Sequence, residues 1–220
     1  MTTYSKKFFL LLFIAAAMTS TVLGQNARSN GNSAAPALLP FAVGETLTYE
    51  GKMRKSISPG IAIADLTFTV TRPDPDGDFV VKADARSKGT LTRLFRFSFL
   101  QQIESSFGAS TGEARLTKKH DVQKERVRDS LAVVDYGDRQ VTYTETDPND
   151  PMRPPRRIAS EVRPGTFDMI SGIYWLRTKP LAVGSTFDMT VSDSGLVYKV
   201  PVKVTARERQ KTEIGKVWCW

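Results

Sequence analysis

Four polar side chains recur at every third position through one stretch of the chain: Asp168, Ser171, Tyr174 and Arg177. On a helix, residues three apart are neighbours on one face. A carboxylate, a hydroxyl, a phenol and a guanidinium so placed could form a polar ligand-binding cluster. Asp168, Tyr174 and Arg177 are also the groups an enzyme would draw on. The plainer reading is an acid at the helix start, where the dipole favours an anion, and an ion pair on the helix surface. These four residues are the candidate ligand-binding site, and no catalytic role is assigned to any residue.

Other reactive groups are isolated. His120 sits among charges with no Gly-x-Ser-x-Gly motif nearby and reads as a solvated strand residue. Cys219, between Trp218 and Trp220, reads as a buried, inert thiol. One His and one Cys leave no zinc site built on those ligands and no disulfide within the chain. No metal or cofactor is expected. Asp74-Pro75-Asp76-Gly77-Asp78 echoes a calcium loop, but the twelfth position, which needs Glu, holds Ala85, so the segment reads as a turn.

Lys118, Lys119, Lys124, Arg126 and Arg128, with Arg153, Arg156, Arg157 and Arg163, form a basic zone. It lacks the interleaved aromatics that stack on bases, so nucleic acid is not an expected partner. A solvated sheet face is the simplest reading, with anionic lipid or polysaccharide as the alternative.

The first residues are an address. Lys6 and Lys7 precede an apolar run from Phe8 to Ala17 and a small-residue stretch ending at Gly24. That pattern is a cleavable signal peptide, residues 1–24, with Val22 and Gly24 before the cut. Thr19, Ser20 and Thr21 dilute the stretch below the ~20 apolar residues of a membrane span. No Cys lies nearby to carry a lipid. The expected location is therefore periplasmic or secreted. Cleavage lowers the net charge from +8 to +6, because Lys6 and Lys7 leave and no acid does. With 40% hydrophobic and 25% charged residues, the 220-residue chain is neither disordered throughout nor a multi-pass membrane protein.

Residues 25–40 lack hydrophobic periodicity and read as a flexible lead-in; 41–220 read as a single β-rich domain. Alternation predicts strands through Leu47, Tyr49 and Met53, then Leu66, Phe68 and Val70, then Phe79, Val81 and Ala83. Pro73 to Gly77 turns the chain between the last two. Leu91 to Phe95 has helical spacing. Phe97, Phe99, Ile103 and Phe107 share a face with Gln101 and Ser105 between them. Glu113 to Val134 reads as one long strand or two in series, and Tyr136-Gly137-Asp138 turns into Arg139 to Glu145. Four prolines make 147–157 an irregular loop.

The main helix is expected over about 166–178, capped by Thr166, with Phe167, Ile170, Ile173 and Tyr174 as its apolar stripe. A hairpin turning at Asp193-Ser194-Gly195 follows, with Leu196, Tyr198, Val200, Val202 and Val204 on a buried face. A last strand runs through Val217 to Trp220. Two Trp residues and a Cys at a chain end, with nothing after them to pair, suggest that further strands are missing.

The segment Leu39-Pro40-Phe41-Ala42-Val43-Gly44-Glu45-Thr46-Leu47-Thr48-Tyr49-Glu50 resembles the opening of an uncharacterised exported bacterial family, domain of unknown function 3108. Its members begin Pro-Phe-x-x-Gly-Glu-x-Leu-x-Tyr. Asp168 to Arg177 is similar to the family's Asp-x-x-Ser-x-x-Tyr-x-x-Arg helix. Arg207-Glu208, followed by Gly215 to Cys219, is similar to its Arg-Glu and Gly-x-x-x-Cys strands. The blocks keep the family order and cover about 39–220. The chain departs from the family in stopping just past Cys219, in its basic 118–128 strand and in its Pro-rich loop. The resemblance implies an exported, mainly antiparallel domain and brings no catalytic residues with it.

The expected fold is all-β to β-dominated α+β: a large curved antiparallel sheet or half-open barrel of about nine or ten strands, with one main helix across it. The leading functional expectation is a non-enzymatic carrier or binder of a hydrophobic or amphipathic cell-envelope component such as a lipid. The alternative is a scaffold or assembly factor docking envelope proteins through sheet edges or the basic strand. An enzyme is the third and weakest. Oligomeric state is left open by these residues.

Overall fold

The computed structural model describes residues 39–53, 61–71, 77–212 and 215–220. The segment expected to be a signal peptide, most of the expected lead-in and most of the expected Pro73–Gly77 turn fall outside these residues. Among the described residues are thirteen strands and two helices. None of the helices there is long and apolar enough to cross a membrane.

Eight strands form one sheet in chain order: β1 (Thr46–Met53), β2 (Ile61–Thr71), β3 (Phe79–Ser87), β4 (Phe99–Phe107), β5 (Ala114–Gln123), β6 (Arg126–Asp135), β7 (Gln140–Thr146) and β8 (Arg156–Glu161). Every neighbour is antiparallel, as short connections require. β1 and β8 are the edges, so the large antiparallel sheet is not closed into a barrel. Helix α1 (Gly89–Phe95) lies between β3 and β4.

The period-two pattern sets the faces. On β2, Ala64, Leu66, Phe68 and Val70 are buried. Their register partners Val81 and Ala83 on β3 continue that face, and Phe107 on β4, opposite Phe79, extends it. We call this the inner face. Phe41, Ile170 and Tyr174 pack on it to complete the core.

The remaining elements form a small three-stranded sheet, β9 (Thr166–Phe167), β10 (Thr186–Asp193) and β11 (Leu196–Lys203), and a hairpin of β12 (Glu208–Thr212) with β13 (Gly215–Cys219). Helix α2 (Met169–Arg177) joins β9 to β10, which pair in parallel. A parallel pair needs a crossover, and α2 supplies it.

Several expectations are corrected here. Thr166 and Phe167 belong to β9, so the helix starts three residues later than expected and Asp168 is its N-cap. The segment Glu113 to Val134 is an antiparallel hairpin, because Lys124 adopts a positive φ of 55° and turns the chain back. The Pro-rich loop ends at Pro155. β8 then pairs with β7 as an edge strand, and only its Ile158 and Ser160 are half-buried. So short and charged an edge carries little alternation to detect. The β11 face expected to be buried is exposed at Leu196 and Tyr198. Alternation shows that a strand has an apolar face, not what covers it. Trp218 and Trp220 are likewise exposed, with the Arg207 guanidinium over both rings, while β12 pairs the strand that holds Cys219.

The small sheet is seated on the large one through a turn. Ser194 and Gly195 both have positive φ, 51° and 78°, the signature of a two-residue hairpin turn. A Cβ on Gly195 would lie 2.6 Å from the Tyr143 Cβ and 2.9 Å from the Ile158 Cβ. Ser160 Oγ donates to the Gly195 carbonyl at 2.6 Å. Gly195→Ala therefore combines left-handed strain with a clash against the Cβ atoms of Tyr143 and Ile158 and is expected to cost about 2–4 kcal/mol. Urea unfolding is the check, and a change below about 0.5 kcal/mol would show that the hairpin is not seated this way.

Candidate functional site

Asp168 organises the helix start. It is 5% exposed, and its carboxylate accepts four hydrogen bonds. Oδ1 takes the backbone N–H groups of Ile170 at 2.9 Å and Ser171 at 2.7 Å. Oδ2 takes the hydroxyls of Ser105 and Thr117, each at 2.6 Å. Ser171 Oγ in turn accepts from the Asp168 N–H at 2.9 Å, closing a capping box. An ionised carboxylate offers about four acceptor sites, and all are used. Asp168 thus bolts α2 to β4 and β5.

Tyr174 and Arg177 hold the other end. Tyr174 is 1% exposed, packs edge-on against Phe41 at 4.9 Å and lies 6.0 Å from the Phe107 ring. Its hydroxyl has no hydrogen-bond partner among the described residues. Arg177 clamps Glu45 through both guanidinium nitrogens, at 2.5 and 2.8 Å, and donates to the Pro40 carbonyl at 2.8 Å. Its guanidinium also lies over the rings of Phe41 and Tyr174. Burial alone would lower the Arg177 pKa, but the Glu45 carboxylate outweighs it and holds the charge firmly.

The structure therefore brings the four predicted residues together on the inward side of α2, in jobs that fasten the helix. The expected surface ion pair is instead a partly buried one, with Glu45. Glu45, Ser105 and Thr117 were not singled out as site residues. Ser105 left a signal: it interrupts the apolar series Phe99, Ile103, Phe107 with a hydroxyl.

Burial sets a further expectation. It pushes the Tyr174 phenol up to about 12 from 10.0 and raises Tyr136, whose hydroxyl donates to the Ala114 and Thr166 carbonyls. In the unfolded chain these phenols ionise first, so their contribution to stability is complete below pH 10. It is lost as pH climbs from 10 towards 12. Tyrosinate absorbance is expected to rise together with loss of the near-ultraviolet dichroism. Full ionisation at pH 10 with the fold intact would contradict this burial.

A cleft of about 90 Å³ lies beside α2, lined by Phe41, Phe107, Ser110, Tyr174, Trp175 and Lys179. It has room for about three waters, well short of the ~300 Å³ at which small-molecule sites begin.

The inner face offers more away from α2. Along β1 to β4 it carries Leu47, Tyr49, Ile63, Ala85, Phe99 and Ile103, all only half-buried. Level with Phe99 to Ile103 the same face turns polar across β5 to β7, while further along it Ala132, Val134, Val141 and Tyr143 are apolar. Gln101 stands opposite Asp121, Asp121 opposite Arg128, and Ser130 opposite Glu145. Lys119, beside Ile103, reaches Asp193 at 3.3 Å. Arg126 pairs with Asp121 at 3.2 Å, and Arg128 with Asp147. On the opposite face Lys118 meets Glu104 at 3.4 Å and His120 meets Asp129. Acids thus answer much of the basic zone, although Arg156 and Arg157 are exposed on β8. Cys219 is buried, which raises its thiol pKa and keeps it protonated.

No curated protein and no solved structure matches this chain. The model of a family described as "protein of unknown function", DUF3108, matches residues 46–220. The matched span holds Ser105, Thr117 and the whole Asp168 to Arg177 helix, while Phe41 and Glu45 precede it. Most of the chain lies within that match, and the protein belongs to the DUF3108 family.

Proposed function

We propose that this protein is a non-enzymatic, exported binding domain that holds an amphipathic component of the cell envelope, such as a lipid, against the inner face of its large sheet. One observation carries the reading. The uncovered part of that face changes from apolar on β1–β4 to charged on β5 and β6 level with Phe99 to Ile103, so one surface sets Phe99 and Ile103 beside Lys119 and Arg126, with Arg126 paired to the buried Asp121. A ligand with a tail and a polar head matches such a division; a purely hydrophobic one would leave the charged bank uncovered. The site lies along the strands and not in the small cleft beside α2. Export rests on the pattern of residues 1–24. Asp168, Ser171, Tyr174 and Arg177 support the ligand surface by fixing α2.

Titration with a fluorescent fatty acid or lysophospholipid tests this. Saturable binding is expected, and Ala85→Trp, which fills the half-buried floor, is expected to weaken it at least tenfold. An Ile103→Ser variant gives the same test without added bulk. Absence of saturable binding, or binding unchanged in both variants, would end the proposal.

A second reading is favoured by the exposed Leu196 and Tyr198 on edge strand β11: a scaffold that docks an envelope protein through that edge. Crosslinking at Tyr198 is expected to capture one envelope protein specifically. Capture no better than by a control β-domain would remove it.

A further inference from the structure

Helix α1 breaks the rule that governs the other elements. Its Leu91, Leu94 and Phe95 have the spacing of a core-facing stripe, yet no residue of α1 is buried. Leu94 is 56% and Phe95 51% exposed. Other contacts hold the helix. Lys88 N–H donates to the Ile63 carbonyl at 2.8 Å, the Thr90 hydroxyl donates to the Ala62 carbonyl, and Arg96, at a positive φ of 49°, closes the end on the Thr92 carbonyl. The fold thus fixes a small apolar turn and leaves it in water.

Its charges differ from those of the sheet. Residues 86–97 contain Arg86, Lys88, Arg93 and Arg96 and no acid. Lys88 is neutralised by Glu50 and Asp65. Among the described residues, Arg93 and Arg96 make no ion pair. Two free cations therefore bracket two exposed apolar side chains. Such a patch is far smaller than the ~800 Å² each partner contributes to a stable protein interface. It suits a bilayer surface, which asks only for a few inserted apolar groups and cations at the phosphates.

We infer that α1 docks the protein on an anionic lipid bilayer, with Leu94 and Phe95 entering the boundary between headgroups and acyl chains and Arg93 and Arg96 meeting lipid phosphates. This goes beyond the ligand-binding proposal and rests on different residues. α1 joins β3 to β4 at the ends of those strands remote from α2, so docking presents that end of the inner face to the membrane.

Co-sedimentation of the full chain with vesicles tests it. Binding is expected to vesicles containing phosphatidylglycerol, much less to phosphatidylcholine alone, and to weaken with salt. Arg93→Gln with Arg96→Gln is expected to weaken it about 30-fold, a figure that follows from about 1 kcal/mol per cation at such a surface. Leu94→Ser with Phe95→Ser is expected to cost at least tenfold. Phe95→Trp provides an independent readout: its emission should shift to the blue on anionic vesicles. Ile103→Ser is expected to leave docking intact, which separates this result from failure of the ligand site. No binding to anionic vesicles, equal binding to neutral ones, or indifference to the α1 substitutions would overturn the inference.

Discussion

Asp168→Ala is expected to destabilise the protein by about 3–5 kcal/mol and to lower the melting temperature by roughly 12 °C. The substitution removes the acceptor of four hydrogen bonds at a position that is 5% exposed. Losing an N-cap costs about 1 kcal/mol. The hydroxyls of Ser105 and Thr117 lose their shared acceptor, and an orphaned buried polar group costs about 1–3 kcal/mol. Asp168→Asn is expected to be milder, about 1–2 kcal/mol, since Asn caps a helix as well as Asp does while its amide matches only part of the hydroxyl pattern. Urea unfolding at unchanged slope is the measurement. A loss below 1 kcal/mol for Asp168→Ala would mean that α2 is not anchored through this carboxylate.

Arg177→Met is expected to cost a similar 3–5 kcal/mol, because it strands the Glu45 carboxylate against an apolar cluster. An exposed ion pair would be worth no more than about 1 kcal/mol. The Arg177 side chain is only 7% exposed and Glu45 is 22% exposed, so the pair is partly buried and largely shielded from water. Two corollaries distinguish this from lost packing alone. Glu45→Gln combined with Arg177→Met should recover part of the loss, since neither charge is then left unpaired. The single-variant cost should also change little between low and high salt, because a partly buried pair is poorly screened. An additive double variant, or a cost that vanishes in salt, would contradict the assignment.

Much of the sheet was legible because one face is packed and the other is wet. Leu66, Phe68 and Val70 announce β2, and Phe79, Val81 and Ala83 announce β3, by the same two-residue period that buries them. The helix residues were legible through their three-residue spacing, but spacing does not reveal partners. Arg177 meets Glu45 across 132 positions, and Asp168 meets Ser105 and Thr117 from two other strands. Such pairings depend on how the sheet stacks strands far apart in the chain. Thr166 and Asp168 are both good cap residues, and local preference alone favoured the earlier one. The parallel pairing of β9 with β10 takes Thr166 into a strand and leaves the cap to Asp168. β8 escaped notice because Pro154 and Pro155 precede it and its exposed edge carries Arg156 and Arg157.

The division of the inner face emerges only from the register. Ile103 and Lys119 are 16 positions apart yet stand side by side on β4 and β5, so an apolar strand adjoins a charged one. The chain achieves this by changing the residues at every second position from one hairpin to the next.

Hydrogen exchange of the protein with and without a lysophospholipid tests that division most directly. The account predicts slowed exchange along β3, β4 and β5 around Ala85, Phe99, Ile103 and Lys119, with α2 unchanged. Slowing confined to α2 and its small cleft, or none anywhere at saturating amphiphile, would contradict it.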